Sequence, residues 1–135
     1  MFTDAEMAYL RSQPLARLGT VDSTGQPNVD AVTFEFDWAR FVIGGHKLEG
    51  SRKYKSIAAG NGKVSLIVDD LQSREPWQPR GIKIHGTAAA VERDGSFGPG
   101  SYIVVTPTLS WSWGLEGVSF QDGKFTPRRT VWPAP

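Results

Sequence analysis

A chain of 135 residues, 39% of them apolar, holds about one domain's worth of core, and 15 basic against 14 acidic residues leave a formal net charge of +1. So even a balance gives no global field for nucleic acid or a membrane surface, and an anionic ligand has to be held by a local cluster of cations. With no cysteine there are no disulfides, thiol nucleophiles or thiolate metal sites, and the two histidines, His46 and His85, stand in neither HxxxH nor HExxH spacing, so no metal site is expected. The opening MFTDAEMAYLRSQPLA has neither a basic leader nor a long apolar run, which suits a cytoplasmic protein of one domain over 1–135.

Thr3, with Glu6 three residues on and then Met7, Leu10 and Pro14, predicts a short capped helix that stops at the proline. Residues 15–21 (LARLGTV) and 28–36 (NVDAVTFEF) alternate apolar with small or polar side chains around the turn residues DSTGQP, which predicts a hairpin. A third strand at Arg40–Ile43 leads into a glycine-rich stretch, after which Ser51 caps a short helix that Gly60, Asn61 and Gly62 end. KVSLIVDDL at 63–71 is a fourth strand, and QSREPWQPRG at 72–81 reads as a proline-rich loop. GIKIHGTAAAVE at 81–92 alternates as a long fifth strand that turns His85 to the outer face, away from Ile82 and Ile84. Past the loop DGSFGPG at 94–100, residues 101–114 (SYIVVTPTLSWSWG) form a sixth strand with Trp111 and Trp113 on one face. Six strands and one or two short helices, with turn signals about every ten residues, predict a mainly β fold: a closed antiparallel barrel.

The stretch GGHKLEGSRKYK, residues 44–55, gathers three glycines, His46 and the cations Lys47, Arg52, Lys53 and Lys55. A loop that sets Ser51, Arg52 and Lys53 in the first turn of a helix directs unpaired amides, a hydroxyl and two cations at one point, which suits a phosphate. Composition alone leaves open the plainer reading of a capped surface helix with solvated cations. Neither Walker nor Rossmann spacing is present.

The order of hairpin, strand, GSRK loop and helix, strand, proline-arginine loop, GIKIHGTA strand and final SWGLE resembles the pyridoxamine 5′-phosphate oxidase-like split-barrel proteins. Within them it resembles the small deazaflavin-dependent reductases that use coenzyme F420. The segments FEFDWARFVIGGHKLEGSRKYKSIAAGNGKVSLIVDDL and PWQPRGIKIHGTA carry the resemblance, which covers roughly residues 3–118. It implies a six-stranded antiparallel split β-barrel that forms a homodimer, with a flavin or deazaflavin in a groove at the subunit interface. By the same resemblance Ser51, Arg52 and Lys53 hold the cofactor phosphate, Val32 and Thr33 lie along the ring, and Gly45 and His46 border the ribityl chain. Arg80 and Gly81 meet the polar edge of the ring, and Trp113 reaches the cofactor from the other subunit. Lys47 and Lys55 suit the acidic glutamate tail of coenzyme F420. Where many relatives have a proline in the second strand, this chain has Asp30-Ala31.

The activity implied is hydride transfer from reduced F420 to an electron-poor double bond of a small molecule, such as an enone or a tetrapyrrole bridge. No residue is singled out as catalytic, and loops 72–80 and 94–100 are expected to wall the substrate pocket. One alternative is an FMN-dependent oxidase, for which the clustered Arg, His and Tyr suited to a pyridoxine phosphate substrate are missing. The other is a non-catalytic binding protein for flavin or haem-like ligands.

Overall fold

The computed structural model describes residues 1–37, 39–117 and 120–134. Thr3 starts α1 (Asp4–Ser12) with a reciprocal capping box: the Glu6 amide donates to its hydroxyl at 3.1 Å, and the Thr3 amide donates to Glu6 Oε1 at 2.8 Å. The helix ends at Gln13, before Pro14, as the sequence predicts. Glu6 is buried, and its carboxylate also accepts from Arg128 Nη1 at 3.1 Å, which ties the helix to the C-terminal strand.

The fold is mainly β. Its strands are β1 (Ala16–Val21), β2 (Pro27–Val32), β3 (Glu35–Asp37), β4 (Arg40–Ile43), β5 (Lys63–Ser73), β6 (Gln78–Arg93), β7 (Gly100–Trp113), β8 (Phe120–Gln121), β9 (Lys124–Phe125) and β10 (Arg128–Val131). An eight-stranded sheet runs β2-β1-β5-β6-β7-β4-β3 with β10 added to β7, all its pairings antiparallel, and β8 and β9 form a separate hairpin. Side chains alternate across the long strands, so Leu66 and Val68 of β5, Ile82 and Ile84 of β6 and Ile103 and Val105 of β7 all turn to one buried face. Phe2 and Leu10 from the N-terminus, and Ile57 from α2 (Arg52–Ala58), complete that core.

Closure follows from the chain path. β2 and β3 are at opposite ends of the strand order, yet only Thr33 and Phe34 separate them, so Val32 and Glu35 lie within about 11 Å. The sheet must therefore curl until its two edges meet, and since β2 and β3 are not paired, the barrel stays split along that seam.

Three expectations are corrected here. The predicted single strand 28–36 is two strands, because its halves pair with different partners, β1 and β4. The predicted loop 72–81 is mostly a continuation of the hairpin: Asp70 still pairs with Arg80 and Leu71 with Pro79, so only a short turn remains. The C-terminal strand β10, which lies against Ser110, Trp111 and Ser112 of β7, and the β8–β9 hairpin bring the strand number above the six expected.

A bulge at Thr108 divides β7 into two parts. His85 pairs with Leu109 but Gly86 with Pro107, so one residue of β7 is extra, and the face to which its side chains point reverses there. Gly86 is required at this place, because a Cβ would come 2.6 Å from the Thr106 carbonyl oxygen. Before the bulge, Ile103 and Val105 fill the core; after it, Ser110 and Ser112 turn inward while Trp111 and Trp113 stand on the outer face. His85 is on that outer face as predicted, edge-on to Trp111 at 4.9 Å. No described helix is long and apolar enough to cross a membrane.

Candidate functional site

Ser51 caps α2: the Tyr54 amide donates to its hydroxyl oxygen at 3.3 Å, and the hydroxyl donates to the Leu48 carbonyl at 2.6 Å. Its proton is thus committed within the chain. Arg52 is exposed. Lys53 is more sheltered, its side chain 17% exposed, with Nζ 3.8 Å from Asp30 Oδ2 on β2. Asp30 also accepts from Asn28 Nδ2 at 2.7 Å, from the same face of β2. Thr33, His46 and Lys47 are exposed, and a Cβ at Gly45 or Gly50 would meet nothing within 4 Å. Val32 is an exception, since its side chain is buried in the core and only its backbone is available to a ligand.

The loop that precedes this cluster is held from behind. The Tyr102 hydroxyl accepts from the Phe97 amide at 3.0 Å and donates to the Gly98 carbonyl at 2.6 Å, and the Ser96 amide donates to Glu35 Oε1 at 2.7 Å. Gly44 fits beneath this assembly, because a Cβ there would come within 2.8 Å of both Tyr102 and Phe97. Loop 94–100, expected as a pocket wall, braces the start of the glycine-rich stretch.

A second cluster gathers Arg80, Gly81 and Trp113. Arg80 binds Asp70 bidentately, Nε to Oδ1 at 2.8 Å and Nη2 to Oδ2 at 3.1 Å, while the Tyr9 hydroxyl donates to the same Oδ1 at 2.8 Å. The guanidinium carbon lies 5.1 Å from the centre of the Tyr9 ring. The Arg80 hydrogen bond holds the Asp70 carboxyl below its ordinary value. Burial first, and then the Asp70 hydrogen bond, push the Tyr9 hydroxyl far above its own. At Gly81 a Cβ would come within 2.9 Å of Trp113, Asp69 and the Val68 carbonyl, so only glycine lets the indole lie against β6. A groove of about 610 Å³ flanks this cluster, lined by Arg17, Ile67, Asp69, Leu71, Trp77 and Pro79.

Val32 pairs with Ala16, and Gly81 pairs with both Asp69 and Trp113. The two clusters stand on different strands: Asp30, which faces Lys53, is on β2, while Gly81 and Trp113 are on β6 and β7, three and four places along the strand order. The sequence-predicted site is thus divided into two clusters. Asp70 and Tyr9 were not foreseen as members, since neither lies near Arg80 in any local pattern.

Residues 2–108 match the family model of pyridoxamine 5′-phosphate oxidase. The chain belongs to that family. It is 37% identical over 122 residues to the 5a,11a-dehydrotetracycline/5a,11a-dehydrooxytetracycline reductase of Streptomyces rimosus, across 86% of this chain and 85% of that one. Among solved structures, the pyridoxamine 5′-phosphate oxidase fold seen here is similar to HupZ of Group A Streptococcus, with a TM-score of 0.67 at 19% identity over 90% of this chain and 100% of that one. It is similar also to an F420 reductase, with a TM-score of 0.63 at 23% identity over 81% of this chain and 98% of the other. The chain has two adjacent cations, Arg52 and Lys53, after a glycine-rich stretch, and an indole, Trp113, against Gly81.

Proposed function

We propose that the protein is a cytoplasmic oxidoreductase that uses coenzyme F420 to reduce an electron-poor carbon–carbon double bond of a small organic molecule, acting as a homodimer. The similarity to a dehydrotetracycline reductase supports both the reaction class and a polycyclic enone as the kind of substrate. The observation that supports the site is its division over the sheet: Lys53 of α2 stands against Asp30 on β2, the Trp113 indole lies against Gly81 on β6, and in this reading a second copy completes the site.

When bound, reduced F420 supplies a hydride in two-electron chemistry. The chain holds and orients. Arg52 and Lys53 take the phosphate as charge-assisted donors, Ser51 keeps their helix start in shape, and Gly45 leaves room for the ribityl chain. Thr33 and the Val32 backbone border the ring, and a second copy's Trp113 with Gly81 covers it and excludes water. Arg80, fixed by Asp70 and Tyr9, presents its remaining N–H groups toward the ring's polar edge. Lys47 and Lys55 are exposed and suit the glutamate tail. The proton that completes the reduction comes from solvent in the open groove.

Titration of the purified protein with F420, followed by fluorescence quenching, tests the reading directly. Arg52→Ala and Lys53→Ala are each expected to weaken binding by about 1.5 to 3 kcal/mol. Trp113→Ala is expected to cost about threefold to tenfold in affinity and to loosen the dimer in light scattering, with Trp113→Phe recovering most of the loss. Unchanged affinity in both cation variants removes the phosphate from this loop. Oxidation of reduced F420 against a panel of enones, quinones and tetrapyrroles then identifies the substrate class.

A further inference from the structure

One of the two cations of the phosphate loop does not face its ligand alone. Lys53 Nζ stands 3.8 Å from Asp30 Oδ2, and Asp30 is fixed there by Asn28 Nδ2 at 2.7 Å. A phosphate placed on Lys53 is attracted by the ammonium and repelled by the carboxylate beside it, and the repulsion grows with every charge the phosphate carries. A phosphomonoester carries about −1.5 to −2 near neutral pH, whereas a diester carries a single charge.

We propose that Asp30 selects the charge class of the cofactor, admitting a singly charged phosphodiester and disfavouring a doubly charged phosphomonoester. Discrimination is achieved by a placed repulsion rather than by an added contact, since Arg52 and Lys53 would bind either ester. The inference rests on the reading of this loop as the phosphate site. It deepens that reading, because the phosphate of coenzyme F420 is a diester and that of FMN a monoester.

The test uses two probes with one ring, the deazaflavin nucleoside 5′-phosphate and its methyl diester, titrated by fluorescence quenching at pH 7.5 into the full-length protein. Wild type is expected to favour the diester. Asp30→Asn is expected to shift the ratio of the two dissociation constants about fivefold toward the monoester, the factor that corresponds to roughly 1 kcal/mol between half-exposed charges. Asp30→Glu, which keeps the charge, is expected to keep the wild-type preference. Asp37→Asn removes a carboxylate that pairs instead with Arg40 at 3.5 Å, and is expected to leave the ratio unchanged. An unchanged ratio in Asp30→Asn, or an equal shift in Asp30→Glu or Asp37→Asn, overturns the selection by Asp30 while leaving the phosphate site in place. Failure of both probes to bind any of the proteins overturns the reading of the loop and the inference with it.

Discussion

Arg80 and Lys53 are the two cations of the candidate site whose partners are carboxylates on neighbouring strands, and they are held in opposite ways. Arg80 is gripped through two hydrogen bonds by Asp70, which the Tyr9 hydroxyl braces from the other side, with all three distances between 2.8 and 3.1 Å. Lys53 has one contact, at 3.8 Å, to a carboxylate that is 37% exposed. The first arrangement is a rigid tie between α1 and the β5–β6 hairpin, and the second is a loose pairing that an incoming anion can displace. A cation that must release its partner to a ligand has to be held weakly, whereas one that frames a binding edge gains from being fixed.

Stability measurements break this comparison if it is wrong. The largest effect is expected from Asp70→Asn, which leaves the Arg80 guanidinium without its anion and is expected to lower urea-unfolding stability by about 2 kcal/mol. That value is below the one for a fully buried pair, because the Arg80 and Asp70 side chains remain 29% and 32% exposed. Tyr9→Phe removes one donor and is expected to cost about 1 kcal/mol. Lys53→Ala and Asp30→Asn, at the loose pair, are expected to change stability by no more than about 0.5 kcal/mol. Equal losses at the two pairs would erase the distinction.

The pH dependence sharpens it. Asp70 is depressed below its ordinary 3.8, so its contribution is present above that value and is withdrawn as the pH falls through the lowered one. Tyr9 is raised above its ordinary 10.0, so its contribution is complete below that value and declines as the pH rises past it. Stability profiles of wild type and of the double variant Asp70→Asn, Tyr9→Phe are expected to run parallel between about pH 5 and 9 and to converge at both extremes. Profiles that stay parallel throughout would show that neither group reports on folding.

Much of this was legible in the sequence because it is local. The capping box at Thr3 and Glu6, the cap at Ser51 and the alternation through β5 and β6 are written within a few residues and survive in three dimensions. The adjacent cations at 52 and 53 and the common face of Trp111 and Trp113 are legible in the same way. What could not be read depends on partners distant in the chain. Strand 28–36 breaks because β3 is claimed by β4, prolines at 76 and 79 masked a hairpin that cross-strand pairing sustains, and β10 is too short to announce itself. The carboxylates were missed for the same reason, since no spacing rule joins Tyr9 to Asp70 or Asp30 to Lys53. Val32, read as a ring contact, obeys the alternation of its strand and turns to the core.

The two-residue link between β2 and β3 also bears on the order in which this barrel comes apart. β1 finds β5, and β4 finds β7, only across long stretches of chain, and each closure alone costs considerable loop entropy. Once one of these seams has formed, however, the link at 33–34 carries the other edge to within a short tether of its partner, so the second closure is entropically cheap. The two edges of the sheet therefore act as one cooperative unit although they share no hydrogen bond. Native-state hydrogen exchange is expected to show the amides of β1–β2 and of β3–β4 opening with a common free energy.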